Sequence, residues 1–241
     1  MIGIIGFGRF GKLVADYLAR DLDVFVYNRS DKSSDIVRSG AKPVSLETVC
    51  QQDIVIPCVP ISTFTDNLKS MAPLLKPDSL VVDVCSVKEY PVRWMLEELP
   101  ESVSILATHP MFGPDSAAES LQDRKICLCR IRVPDALYDK IKNYLRSKGL
   151  IVIEATAREH DEQIATSLSL THLIGRTLSE CGAQPLDIDT EGYKRLLRIL
   201  EVVERDTWQL FVDMHRYNPY ARQKRLAFMK VMQEINARIE E

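Results

Sequence analysis

The segment Gly6-Phe7-Gly8-Arg9-Phe10-Gly11 constrains the fold of this 241-residue chain more than any other. It spells G-x-G-x-x-G and follows the apolar run Ile2 to Ile5. The next residues, Arg9 to Arg20, put Phe10, Leu13, Val14, Tyr17 and Leu18 on one face of a helix. A strand that turns through glycine into a helix opens a dinucleotide-binding βαβ unit. One glycine makes the tight turn, the second admits a pyrophosphate to the backbone, and the third lets helix and strand lie close. The helix start adds N–H groups outside its own hydrogen-bond ladder and the positive end of its dipole. Gly6, Phe7, Gly8, Arg9, Phe10 and Gly11 are therefore expected to bind the phosphates of a dinucleotide.

The choice between NAD and NADP rests on the end of the second strand, Val24 to Tyr27. A carboxylate there accepts hydrogen bonds from the ribose hydroxyls of NAD. Here the strand runs into Asn28-Arg29-Ser30, with no carboxylate at its end. Arg29 can meet a 2′-phosphate with charge-assisted hydrogen bonds, and Asn28 and Ser30 can add neutral ones. NADP is the expected cofactor and NAD stays possible. Asp31 stands close enough to oppose a phosphate.

The first half alternates strand and helix signals. Asp53 to Ile56 and Leu80 to Val84 are continuous apolar runs that suit a parallel sheet covered on both faces. Val103 to Thr108, Ile126 to Ile131 and Ile151 to Glu154 read as later strands. Helical patterns cover Ser45 to Gln51, Ser62 to Met71, Glu89 to Leu99 and Pro134 to Lys148. After Glu154 the strand signals stop. Thr156 to Cys181 reads as one long helix and Thr190 to Arg216 as another. Asn218-Pro219 marks the cap and first turn of a last helix, striped with Leu226, Met229, Met232, Ile235 and Ile239. The expected fold is an α/β Rossmann domain, a doubly wound and mostly parallel sheet, over residues 1–154. A small all-α domain follows over residues 155–241. Its long apolar stripes point to packing against a second copy of the chain, a homodimer through the C-terminal helices.

Composition narrows the function classes. The formal net charge is −3, which argues against a nucleic-acid surface. No apolar stretch approaches the roughly 20 residues of a membrane span. No charged-then-apolar leader precedes the first strand, so a cytoplasmic location is expected. The six cysteines form no C-x-x-C pair and the histidines number four, so neither a zinc site nor a disulfide framework is expected. The cysteines are expected to be small buried apolar residues.

Three further segments carry chemistry. Asp83-Val84-Cys85-Ser86-Val87-Lys88 and Thr108-His109-Pro110-Met111-Phe112-Gly113-Pro114 each end a strand, where open α/β sheets bind ligands. His160-Asp161 and Thr171-His172-Leu173-Ile174-Gly175-Arg176 fall on the first long helical segment. Together these resemble the prephenate/arogenate dehydrogenase family, and its plant-type arogenate branch more than the bacterial prephenate branch. The resemblance spans nearly the whole chain. It implies a Rossmann domain followed by a helical dimerisation domain, and oxidative decarboxylation of a cyclohexadienyl substrate with NAD(P). By that resemblance Ser86 is the serine that contacts the catalytic histidine near the nicotinamide. His109 is that histidine, and His172 is the substrate-binding histidine of the helical domain. The chemistry suits these residue types independently. A neutral imidazole can take the ring-hydroxyl proton as hydride leaves, and a serine hydroxyl can orient it.

One departure from the family bears on the substrate. Where bacterial members place an arginine after a tryptophan on the second long helix, Trp208 is followed here by the neutral Gln209. Gln209 is expected to bind substrate beside His172, and being neutral it favours neither prephenate nor arogenate by charge. Lys88, Arg176, Arg198, Arg205 and Arg216 are the candidate cations for substrate carboxylates. His160 is expected to be a helix-start or domain-contact residue and His215 a surface residue. The competing functions are an NADP-dependent reductase of the β-hydroxyacid or imine type and a non-catalytic NADP-binding protein. The lysine that such reductases carry on the first long helix is missing from Thr156 to Cys181.

Overall fold

The computed structural model describes residues 1–240; the side chain of Val202 lies outside that description. The described chain divides into two compact units, Met1–Ala157 and the residues from Arg158 onward.

The first unit is an eight-stranded sheet in the order β3-β2-β1-β4-β5-β6-β7-β8. Its strands are β1 (Ile2–Ile5), β2 (Val24–Tyr27), β3 (Lys42–Pro43), β4 (Ile54–Pro57), β5 (Leu80–Asp83), β6 (Ser104–Pro110), β7 (Lys125–Arg132) and β8 (Ile151–Glu154). All neighbours are parallel except β6 and β7. Its helices are α1 (Arg9–Leu18), α2 (Ser33–Arg38), α3 (Leu46–Cys50), α4 (Phe64–Met71), α5 (Glu89–Glu98) and α6 (Asp135–Ser147). The chain leaves β1 toward β2 on one side and returns to β4 on the other, so a crevice opens at the ends of β1 and β4. One apolar cluster gathers Ile2, Ile4, Val24, Val26 and Ile56, and another Leu80, Leu106, Leu128 and Tyr138. The sequence pattern missed α2 and β3. β3 has two residues, one of them proline, and its length and position at the sheet edge leave no alternation to read.

The second unit holds α7 (Ala157–Ser167, begun in the last residue of the first unit), α8 (Ser169–Glu180), α9 (Glu191–Glu204), α10 (Trp208–Arg216) and α11 (Ala221–Ile239). Both long helices expected from the sequence are broken. The segment Thr156 to Cys181 bends at Leu168, whose ψ is −56° and φ −108°. The Ser167 hydroxyl donates to the Gln163 carbonyl and the Thr171 hydroxyl to the Ser167 carbonyl. Such back-bonding to the preceding turn bends helices. Thr190 to Arg216 is interrupted because Thr207 caps a new helix, its hydroxyl accepting the Leu210 N–H at 3.1 Å. Asn218 does not cap the last helix. α11 starts at Ala221, and Asn218 forms the turn before it: its side-chain oxygen accepts the Tyr220 N–H at 2.9 Å while its amide donates to the Asp161 carbonyl. Gly175 sets the spacing of α8 and α9, since a Cβ there would lie 2.5 Å from Val203 Cγ2.

Much of what this unit buries is polar: His160, Asp161, Ser169, His172, Asp213 and Asn218. His160 Nδ1 lies 2.8 Å from the Asp161 carboxylate. His215 is half-buried rather than on the surface, 3.1 Å from the Arg225 guanidinium. Burial pushes the imidazoles of His172 and His215 down to about 4, with nearby guanidinium groups adding to the shift. An unfolded histidine titrates near 6.5, so between about pH 6.5 and 4 the unfolded chain binds more protons than the folded one. These two residues contribute stability that is fully present above about pH 6.5 and is lost as the pH falls toward 4. The thermal midpoint should be lower at pH 5 than at pH 7.5, and a His172→Gln/His215→Gln variant should show a flatter dependence.

Candidate active site

The glycine motif is built as its spacing requires. Gly6 has φ +98°, and a Cβ there would lie 2.5 Å from the Cys58 carbonyl oxygen at the end of β4. A Cβ on Gly11 would lie 2.1 Å from the Gly6 carbonyl oxygen, so only glycine lets α1 sit against the strand end. A Cβ on Gly8 would meet nothing within 4 Å. That open space lies at the N-terminus of α1, where the first ladder bond runs from Lys12 N–H to the Gly8 carbonyl. The N–H groups of Arg9, Phe10 and Gly11 precede that bond and stand outside the ladder. The geometry fits the pyrophosphate of a dinucleotide.

Asn28 plays a different part from the one its position suggested. Its side-chain oxygen accepts the Phe7 N–H at 2.8 Å, and its amide donates to the carbonyl and hydroxyl of Ser30. It ties the glycine loop to the β2 turn, and its hydrogens are committed to Ser30 rather than to a ligand. Arg29 and Ser30 are exposed. Asp31 is turned toward α2, where the Ser33 N–H donates to it and holds its carboxyl below the usual range. A cation overlooked in the sequence, Lys32, donates from Nζ to the Phe7 carbonyl at 2.9 Å. Only a fold that brings the glycine loop beside residue 32 exposes that relation.

Two strand ends flank the crevice. β5 delivers Ser86 and β6 delivers His109, which is buried and pairs in register with Cys127 of β7. The Ser86 hydroxyl oxygen is buried and makes no hydrogen bond among the described residues. The serine–histidine hydrogen bond expected from the family is therefore not formed here. An orphaned hydroxyl at a strand end is a group that a ligand can satisfy. Lys88 is not available to a substrate carboxylate. It is fully buried and paired with Asp83. The segment after β6 crosses to α1, with Arg9 paired to Asp115 at 2.7 Å and the Tyr17 hydroxyl donating to the Ala117 carbonyl.

In the second unit, Ser169, His172 and Arg176 share one face of α8. Each has a buried polar atom with no hydrogen-bond partner among the described residues: the Ser169 hydroxyl, His172 Nδ1 and Arg176 Nε. Arg176 donates to the Asp206 carbonyl and lies over the Trp208 ring at 5.7 Å. His172 Nε2 is 3.7 Å from the Asp206 carboxylate. Arg198, Arg205 and Arg216 are exposed, so Arg176 is the half-buried cation of the set. Gln209 donates to the buried Asp213 carboxylate at 2.7 Å. Ser169 carries no motif and was missed in the sequence. Among the described residues no group of His, Cys, Asp and Glu could hold a metal ion, and no helix is long and apolar enough to cross a membrane. None of the six cysteines is in a disulfide, and Cys181 is exposed rather than buried.

Comparison with known proteins agrees with this geometry. Residues 23–154 match the family described as prephenate dehydrogenase, nucleotide-binding domain, and residues 177–241 match one described as TYRAAT1-like, C-terminal domain. Arogenate dehydrogenase 2, chloroplastic, of Arabidopsis thaliana is 32 % identical across 99 % of this chain and 70 % of its own length. The structure of Synechocystis arogenate dehydrogenase superposes with a TM-score of 0.74 at 19 % identity, covering 99 % of this chain and 91 % of that one. Prephenate dehydrogenase from Aquifex aeolicus, in complex with hydroxyphenyl propionate and NAD+, superposes with a TM-score of 0.78 at 19 % identity, covering 98 % and 89 %. The family match over more than half of the chain and the 32 % identical relative agree, and the chain belongs to the prephenate/arogenate dehydrogenase family of NAD(P)-dependent oxidoreductases.

Proposed function

We propose that this protein oxidises prephenate or arogenate with NADP, releasing carbon dioxide, on the route to tyrosine. In this reading residues 1–154 bind the cofactor and residues 155–241 bind substrate and dimerise. The observation that carries it is His109 buried at the end of β6, one strand from the orphaned Ser86 hydroxyl and on the crevice edge that holds the glycine loop. The glycine loop and the start of α1 would hold a nicotinamide dinucleotide, which would supply the acceptor for the hydride of the ring carbinol carbon. His109 accepts the ring-hydroxyl proton as that C–H bond breaks. Loss of the ring carboxylate as carbon dioxide then completes the aromatic ring, so His109 needs no metal beside it. Ser86, at the adjacent strand end, has a hydroxyl with no partner among the described residues, and with cofactor and substrate bound that hydroxyl would be available to them or to the imidazole. In the helical unit, Arg176 and His172 recognise carboxylate, with Ser169 as a further donor. Gln209 braces Asp213 and stands beside that recognition rather than within it.

NADP is favoured because Arg29 and Lys32 both stand at the β2 turn while Asp31 is turned onto Ser33. A second copy of the chain is the occupant we assign to α11. Its Leu226, Met229, Met232, Ile235 and Ile239 are about half exposed or more, a stripe that a lone soluble helix seldom shows.

Prephenate and arogenate, each offered with NAD and with NADP, should give turnover with NADP on at least one substrate. His109→Asn should lower kcat by about 10²-fold or more while NADPH still binds. Four silent combinations with NADPH binding intact would refute the reading and bring forward a reductase or a binding protein. In a fluorescence titration, Lys32→Ala and Arg29→Ala should each weaken NADPH by about tenfold or more, the scale of one charge-assisted hydrogen bond, and leave NADH nearly unchanged. Equal affinity of the unaltered chain for NADH and NADPH would contradict the cofactor assignment. Sedimentation equilibrium should return twice 27.4 kDa, and Met232→Lys/Ile235→Lys should return the monomer mass; a monomeric unaltered chain would remove the dimer.

A further inference from the structure

We propose that Lys88, with Asp83, is a positioning residue that sets His109 and Ser86 in place for the reaction. The inference rests on the reading of His109 and Ser86 given above. Lys88 begins α5, and its side chain runs back beneath the ends of β5 and β6. Both members of the ion pair are fully buried. Removing two charges from water costs several kcal/mol per ion before their attraction is counted, and apolar residues of the same size often serve stability as well. A pair kept in such a place has to be judged by what it holds.

Its contacts go to the backbone on either side of the crevice edge. Lys88 Nζ donates to the Asp83 carboxylate and to the carbonyl of Thr108, the residue before His109. The other Asp83 carboxylate oxygen accepts the N–H of Cys85, the residue before Ser86, at 2.7 Å. The Thr108 hydroxyl donates to the Asp83 carbonyl at 2.7 Å and closes the bracket. Each arm thus ends one residue short of a site side chain. β5 and β6 are paired only as far as Asp83 and Ala107, so the ladder between these two strands stops before either site residue, while β7 still pairs with His109 on the other side. The ion pair continues the linkage where that ladder ends. The buried thiols of Cys85 and Cys129, both pushed well up by their surroundings, stay neutral beside the pair and add no charge to it.

Lys88→Met alone would leave the Asp83 carboxylate without its buried cation and would destabilise the fold itself. The test therefore uses Lys88→Met/Asp83→Asn, in which no buried charge remains and residue 83 still offers an oxygen to Cys85 N–H. Three measurements are made: NADPH affinity, the kcat and KM of the better substrate, and the imidazole Cε1–H resonances of the four histidines. The His109 resonance is assigned by its absence from His109→Asn. The expected result is a folded chain with NADPH affinity within about threefold of the unaltered protein. Its kcat should fall at least tenfold with KM little changed, and the His109 resonance should move while those of His160, His172 and His215 stay. A merely structural role would lower the thermal midpoint without selecting His109. A folded double variant with kcat within twofold, or with an unmoved His109 resonance, overturns the proposal. If the unaltered chain turns over neither substrate, the functional reading fails, and the resonance alone decides whether Lys88 places His109.

Discussion

The close approach of α1 to the ends of β1 and β4 is the constraint on which the first unit depends. Two backbone contacts define it, one between Gly6 and the Cys58 carbonyl and one between Gly11 and the Gly6 carbonyl. With any side chain at either position the helix would have to withdraw, and its N-terminus would no longer face the crevice. The reversal of strand order beside β1 places that crevice, and the parallel run from β1 to β6 brings the later strand ends to the same edge. A phosphate loop and a histidine more than 90 residues apart in sequence thus come to the same edge of the sheet through topology rather than through any local signal.

The helical unit is held by a different balance. Its buried residues include an imidazole–carboxylate contact, a second carboxylate joined to Gln209, and an asparagine hydrogen-bonded to the backbone of α7. Hydrogen-bonded polar groups of this kind fix one arrangement of helices, because any other arrangement leaves a buried donor or acceptor unpaired. Among the described residues, one exception is His215 Nε2 on α10, and the others lie together on α8. There a hydroxyl and two nitrogens are buried without partners, and the glycine between His172 and Arg176 keeps the helix hard against Val203.

The parts of this design that the sequence displays are those governed by short-range rules. G-x-G-x-x-G, the apolar runs and the motif ends around Ser86 and His109 are local patterns with fixed physical meaning, and the structure places them as expected. The helix breaks at Leu168 and Thr207 were hidden because the apolar stripe continues through both. What interrupts the helices is hydroxyl bonding to the backbone, which hydrophobic spacing does not register. Lys88 and Lys32 were misjudged or overlooked for a related reason. A lysine is read as solvated unless something shows where its ammonium ends, and in both cases it ends on a backbone carbonyl far away in sequence. Asn28 was recognised as important, but its partner proved to be the protein itself.

The contact between Arg9 and Asp115 gives the crevice an uneven stiffness. Its floor is fastened by glycine backbone contacts and strand pairing. Its rim carries an exposed ion pair, a kind of contact worth about 0.2–1 kcal/mol, and a tyrosine hydroxyl bond. The cation in that pair belongs to the phosphate loop. An anion that comes to the start of α1 would find Arg9 already paired, and would bind the guanidinium only by taking the place of the Asp115 carboxylate. Entry then resembles the replacement of one counter-ion by another more than the opening of a door.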